Sequence, residues 1–565
     1  MLGKGLSTGA WIAAIFGMFL ASGQAARAED RVATWHSYEI TLTAAKSYAN
    51  PYKEVAVSAV FTGPAGERMV MPGFWDGGHV WRIRFAPPTP GRWRYGTTSS
   101  AAHDPGLQGR SGAFTAVRYT GKLAIFRRGF LKISADNRYL TYGDGTPFYW
   151  LGDTNWGGFS SAVPWAGAGR GPFRTIVDRR VKQGFTVWKA ETFANNDEAE
   201  NAPVNEGGFA WRDHRYFGEP NPAFWQEIDR RVRYVADSGM VLSIAQGIGR
   251  SLKTGAMTED HRRLALYILA RYGAYPTVWI TAQEFNLESR NSTVCGQCWA
   301  DIARSVYEAD PYKRPNSLHS RTDNPITYHD QPWYGFVTLQ EGHGASHPVD
   351  YWLKQYHADP PRPVLEDEAN YDHIIPLYAG SSETMTRQSA WMSQIGGAFG
   401  FTYGAQGIWY GCVDKISPNP NCGAGKDGYT WREALEFPVG NTQLGAMRAF
   451  WTALPWWTLH PDEHRIAWND APRDSQRPFQ KSNADHSILV AYLPATVVRY
   501  TGTLTAVPGT RPDARWFDPR TGTYSQAAIR RSGNSAWIVP SKPTGEDWVL
   551  LIRQNRVQQG DVRAR

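Results

Sequence analysis

Thr277-Val278-Trp279-Ile280-Thr281-Ala282-Gln283-Glu284-Phe285-Asn286 is a short apolar run of β-type residues that ends on a carboxylate. Arg362-Pro363-Val364-Leu365-Glu366-Asp367-Glu368-Ala369-Asn370-Tyr371 has the same design. Runs this short, alternating with amphipathic segments of helical length, read as buried strands of a parallel sheet. Eight can be counted: Phe148 to Gly152, Thr186 to Ala190, Val241 to Ile244, Val278 to Ile280, Asn316 to Leu318, Phe336 to Leu339, Val364 to Leu365 and Gly400 to Tyr403. Helical segments lie between them, including Phe224 to Ser238, stopped by Gly239, and Glu259 to Tyr272. Eight βα units within 125–455 give an α/β fold, a (β/α)8 TIM barrel with enlarged loops.

Outward from the barrel the pattern changes. Residues 29–118 carry short alternating runs such as Val55 to Phe61 and Val80 to Phe85, with Gly63-Pro64, Asp76-Gly77-Gly78 and Pro90-Gly91 as turns. Residues 456–556 do the same, with Ser487 to Tyr492, Ala514 to Phe517 and Trp548 to Ile552 around the turn Asp518 to Gly522. Both stretches read as β-sandwich domains flanking the barrel. Residues 1–28 read as a secretory signal: Lys4, an apolar segment from Ala10 to Ala21, and Ala26-Arg27-Ala28 as the cut site. The apolar segment is too short to span a bilayer, so no membrane insertion is expected after cleavage.

Composition narrows the class. The formal net charge of +8 falls to about +6 without Lys4 and Arg27, and no basic run occurs, which argues against a nucleic-acid partner. The four cysteines, Cys295, Cys298, Cys412 and Cys422, are an even number in an exported chain and favour disulfides. Cys412 and Cys422 are expected to close one loop. Cys295 and Cys298 read either as a small disulfide or as half of a zinc site, with no second CxxC or paired His to complete the latter. No cofactor is called for.

Catalytic groups of such barrels sit at the C-terminal ends of the strands. Those ends hold Asp153, Asn155 and Trp156; Glu191; Gln283, Glu284 and Asn286; His319; Gln340 and His343; Glu368 and Tyr371; and Trp409. Polar and aromatic groups at nearly every strand end describe a sugar-binding cleft, with Trp156, Trp409 and His343 nearest the cleaved bond. Two carboxylates on facing strands are what glycoside hydrolysis needs, one as acid/base and one as nucleophile. Strand alternation puts Glu366 and Glu368 on one face, so parity does not choose between them.

The residues Leu140-Thr141, Gly145-Thr146-Pro147-Phe148, Gly152-Asp153-Thr154-Asn155-Trp156, Gln340-Glu341-Gly342-His343, Pro363-Val364-Leu365 and Phe399 to Gly404 carry a family resemblance. The barrel resembles glycoside hydrolase clan A and, within it, the apiosidase-like family of bacterial enzymes. The flanking sandwiches resemble the accessory domain and the collagen-binding-type domain that often accompany that barrel. The resemblance implies a retaining glycosidase acting on a plant or microbial oligo- or polysaccharide. The family's strand-four acid lies in a Leu-Gly-Gly-Asp-type segment; aligning on Trp279-Ile280 puts Glu284 there. The family's Gly-Glu-Pro-x-Tyr-Glu corresponds to Asp367-Glu368-Ala369-Asn370-Tyr371-Asp372 and selects Glu368 as nucleophile. Two other readings compete: a non-catalytic carbohydrate-binding barrel, disfavoured by the intact carboxylate pair, and an exported lyase or metal-dependent hydrolase, disfavoured by the absence of a His-Glu-x-x-His pattern.

Overall fold

The computed structural model describes residues 30–556, leaving out 168–170, 193–203, 248–251, 253–254, 287–294, 322–326, 345–346, 375–381, 417–421, 423–427, 470–476, 497–500, 509 and 534. The expected signal segment lies outside the described residues.

Eight parallel strands form the central sheet: β1 (Trp150–Thr154), β2 (Val187–Glu191), β3 (Val241–Ala245), β4 (Thr277–Ile280), β5 (Asn316–Ser317), β6 (Val337–Leu339), β7 (Val364–Glu366) and β8 (Gly400–Tyr403). Ladder pairing runs β5-β4-β3-β2-β1-β8-β7-β6. The bridge between His319 and Thr338 and a contact of 3.2 Å between Ser317 Oγ and Thr338 Oγ1 span the remaining gap, so the sheet closes as a barrel. Helices α1 (Pro172–Lys182), α2 (Pro222–Asp237), α3 (Thr258–Tyr272), α4 (Gly296–Ala309), α5 (Asp350–Tyr356) and α6 (Glu383–Ile395) connect the strands. Among the described residues no helix separates β5 from β6. The first strand lies two residues later than its sequence pattern implies. Pro147–Phe148 instead pairs antiparallel with Leu140–Thr141 in a separate three-stranded sheet.

Alternation along the strands sorts side chains into two layers. Trp150, Gly152, Lys189, Thr338 and Thr402 face inward. Trp150 Nε1 donates to Thr402 Oγ1 at 3.0 Å, and a Cβ on Gly152 would stand 2.8 Å from that hydroxyl, so a side chain there would collide with the barrel's filling. The outward residues meet the helices. Trp279 Nε1 donates to Asp310 Oδ2 at 3.0 Å, and Trp188 packs edge-on against Phe173 of α1.

Residues 31–117 form a five-stranded and a three-stranded sheet, and residues 460–556 a six-stranded and a four-stranded sheet. On Val80–Phe85 the side chains of Trp81, Ile83 and Phe85 are buried as the alternation implies. The opposite face is only partly open to solvent. Arg84 is buried against the barrel, where it shares Asp229 of α2 with Arg271 of α3, each at 2.6 Å. Asp76 of the sandwich closes this cluster on Arg271 at 2.9 Å, and both guanidinium groups lie over the Phe74 ring. On the other side of the barrel, Arg387 of α6 grips Asp547 at 2.7 Å, and Trp391 stacks on Tyr492.

Candidate active site

The floor of the barrel mouth is a buried polar cluster. Lys189, inward on β2, places Nζ 2.7 Å from Asp367 Oδ2, 2.9 Å from the Asp367 carbonyl and 3.3 Å from His319 Nδ1. Thr402 Oγ1 donates to the other Asp367 oxygen at 3.0 Å. Lys189, Asp367 and His319 are all fully buried. Burial pushes the Asp367 carboxyl up, but Lys189 and His319 more than reverse it and hold it below the ordinary range.

Glu368 sits above this cluster between two imidazoles. His319 Nε2 is 3.6 Å from one oxygen and His343 Nε2 is 3.5 Å from the other. Burial again pushes the carboxyl up. The hydrogen bond from His343, with His319 and Lys189 close by, outweighs it, so Glu368 is held below the ordinary carboxylate value. Tyr371 packs against His343 with ring centroids 4.4 Å apart and planes tilted by 46°, and its hydroxyl accepts from Trp156 Nε1 at 3.1 Å. Burial, then the nearby Glu368, raises the Tyr371 phenol well above its usual value. Trp409 lies 6.0 Å from Tyr371. Lys189 Nζ stands 4.7 Å from the Trp156 ring centroid, which ties the aromatic wall to the ionic floor.

The acids of the strand-seven segment part company here. The amides of Asp367 and Glu368 both donate to the Leu339 carbonyl, at 2.9 and 3.2 Å, which is the geometry of a bulge. Alternation therefore fails at this point, and Glu366 does not share a face with Glu368. Glu366 turns outward, where Trp352 Nε1 of α5 donates to it at 2.7 Å and the Glu341 amide at 3.1 Å. Burial, then the Glu341 charge, drives Glu366 well above the usual carboxylate range, and burial brings Glu341 up to about 7. A fully buried group in the helix layer cannot reach a substrate.

Glu284 stands across the mouth, past β4, half-buried, with Gln340 Nε2 donating to its Oε1 at 3.0 Å. Its backbone is left-handed at φ +44°, a conformation that costs a side-chain-bearing residue about 1 kcal/mol or more and clusters at functional sites. Gln283 beside it is buried, and neither end of its amide has a hydrogen-bond partner among the described residues; the same holds for Gln340 Oε1 and Trp409 Nε1. Buried polar atoms left open in this way fit a ligand that brings its own hydroxyls.

Not every strand-end residue reaches the cleft. Asp153 lies on the outward face of β1 and is ion-paired with Arg180 of α1 at 2.9 Å; Asn155 turns back to donate to the same carboxylate at 2.9 Å. Asn286 accepts from the Arg321 amide at 2.7 Å and so ties two loops together. Glu191 is buried on the inward face above Lys189. Strand-end position does not mark Lys189 or Asp367 as site residues. Their signal was a lysine in the middle of an apolar strand and an acid inside a run of three.

Both cysteine pairs are bonded, Cys295 to Cys298 at the start of α4 and Cys412 to Cys422 after β8. The second bond packs in one cluster with Tyr410, Trp156 and Trp409. Among the described residues no group of His, Cys, Asp and Glu is arranged to hold a metal ion, and no helix is long and apolar enough to cross a membrane.

A closed (β/α)8 barrel with carboxylates and aromatic rings at its C-terminal mouth is an architecture on which two-carboxylate glycoside hydrolases are built. Residues 134–458 match the family model "Apiosidase-like, catalytic domain", and the chain belongs to that family. Residues 31–100 match a "Domain of unknown function" and residues 461–553 a "Putative collagen-binding domain of a collagenase". The fold is shared with a putative glycoside hydrolase from Bacteroides vulgatus, with TM-score 0.67 and 19% identity over 93% of this chain and 100% of that one. It is shared as well with a glycoside hydrolase family 5 structure from the same organism, with TM-score 0.63 and 18% identity over 79% and 97%. No curated protein matches the chain.

Proposed function

We propose that the protein is an exported retaining glycoside hydrolase that cleaves a plant or microbial oligo- or polysaccharide. The observation that carries this reading is the pair of carboxyls at the barrel mouth. Glu368 is buried, flanked by two imidazoles and held ionised, as a nucleophile must be. Glu284 stands across the same mouth, half-buried and held by the Gln340 amide, in the place the acid/base of a two-carboxylate pair would take.

Glu368 attacks the anomeric carbon while Glu284 protonates the departing glycosidic oxygen, giving a glycosyl ester on Glu368. Glu284 then takes a proton from water, which displaces the ester with net retention. Trp156, Tyr371 and Trp409 present rings to the C–H face of the sugar, each contributing roughly 1 kcal/mol. Gln283, Gln340 and His343 offer hydrogen bonds to sugar hydroxyls. The two disulfides support an oxidising compartment and hence export.

Screening against aryl glycosides and polysaccharides finds the substrate, and variants then test the roles. Glu368→Gln should fold normally and lose several orders of magnitude in turnover. Glu284→Gln should lose far more on natural substrates than on activated aryl glycosides. Full activity of Glu284→Gln on a polysaccharide, or inverted product by proton NMR, would sink this mechanism.

A further inference from the structure

Lys189 and Asp367 have no direct role in the two-carboxylate reaction, yet both are fully buried at its base. A buried ion pair is a poor source of stability, since apolar residues of similar volume usually do as well or better. Its retention beneath Glu368 calls for another reason, and the donor count supplies one. The Lys189 ammonium has three protons. Two go to Asp367, at Oδ2 and at the carbonyl, and the third faces His319 Nδ1 at 3.3 Å. The Thr402 hydroxyl donates to the remaining Asp367 oxygen. A neutral imidazole has one N–H. Placed on Nε2, it points at the Glu368 carboxylate 3.6 Å away and leaves Nδ1 free to accept from Lys189. Placed on Nδ1, it would meet Asp367 at 3.2 Å, crowd the lysine's third proton, and turn a lone pair toward the Glu368 carboxylate.

We propose that Lys189 and Asp367 are a positioning pair that fixes the His319 tautomer, so that the ring presents Nε2–H to the Glu368 carboxylate. The inference rests on Glu368 being the nucleophile. Asp367 anchors the ammonium, the ammonium fills Nδ1, and the imidazole then aims Nε2–H at one Glu368 oxygen from 3.6 Å while His343 faces the other from 3.5 Å. The charged and titratable groups facing Glu368 are His319, His343, Tyr371, Lys189 and Asp367, and Lys189 contributes to keeping it ionised.

Imidazole 15N–1H correlation spectra of the resting protein, with His319 assigned by a His319→Gln variant, read the tautomer without any substrate. A neutral ring protonated on Nε2 is expected; a proton on Nδ1 alone, or on both nitrogens at neutral pH, overturns the proposal. Lys189→Met should lower kcat on the order of 100-fold through misplacement of the nucleophile, with KM held within about twofold. Glu368 must be ionised to react, so losing the lysine's charge should move the acid limb of kcat/KM to higher pH. A folded Lys189→Met protein with an unmoved acid limb and an unchanged tautomer refutes the assignment. The double variant Lys189→Met/Asp367→Asn leaves no unpaired buried charge, guards against misfolding, and should lose the tautomer as well. Glu368→Gln in parallel separates the two ideas: retained activity there would sink the nucleophile, while the tautomer would stand or fall on its own spectra.

Discussion

Replacing Asp229 by asparagine should destabilise the whole protein by about 3–4 kcal/mol, near the low end of what breaking a buried ion pair costs. The figure follows from the partners. Asp229 accepts three charge-assisted hydrogen bonds, from Arg84 Nη2 at 2.6 Å and from Arg271 at 2.6 and 3.0 Å. At about 1.5–3 kcal/mol each these would sum to roughly 5–9. That sum overcounts, because Arg84 keeps Glu39, Arg271 keeps Asp76, and asparagine keeps one acceptor oxygen. Burial raises the Asp229 carboxyl, but Arg271 and Arg84 outweigh it and hold it far below the ordinary range. A depressed carboxylate contributes stability that is present above its unfolded value and is lost as pH falls toward the folded one. The gap between wild type and variant should therefore narrow below about pH 4. Urea unfolding followed by tryptophan fluorescence measures it. One cooperative transition is expected, since a single apolar cluster runs from Ile40 of the N-terminal sandwich through the barrel to Val549. A change under about 1 kcal/mol, or a sandwich that melts while the barrel stays folded, would refute the reasoning.

Two further outcomes are open to direct measurement. Serine at both Cys412 and Cys422 should cost roughly 2–3 kcal/mol by freeing a ten-residue closure, and should raise KM more than it lowers kcat, because the bond packs against Trp156 and Trp409; thiol titration of the unreduced wild type should find none. With Glu341 pushed up to about 7, the folded chain holds a proton that the unfolded chain releases near 4.5, so stability should fall as pH rises through that window; Glu341→Gln should reduce the slope, as read from urea midpoints at several pH values.

The barrel was legible because its strands are apolar runs with stop signals between them, and seven of the eight fall within a residue of their sequence pattern. The first did not, because Pro147 and Phe148 extend the same apolar run into a different sheet. Trp156, His343, Tyr371 and Trp409 come together with Glu368 as strand-end placement implies. Nearness to a strand end does not bring a side chain into the cleft: the alternation that turns Gly152 inward turns Asp153 outward to Arg180. Lys189 escaped notice because a buried cation is legible only through its partner, and Asp367 lies 178 residues away.

The doubled amide contact on Leu339 has a consequence for anyone who would transplant this cleft. Three acids within three positions are sent three ways: Glu366 into the helix layer, Asp367 to the barrel axis, Glu368 to the opening. Direction there is set by residue count, not by residue type. Deleting one residue between Leu365 and Tyr371 would send the same acids to the wrong neighbours while leaving composition and hydropathy almost untouched. A graft onto another barrel must carry the kink with the carboxylates, and a search for distant relatives should weigh spacing at this point above identity.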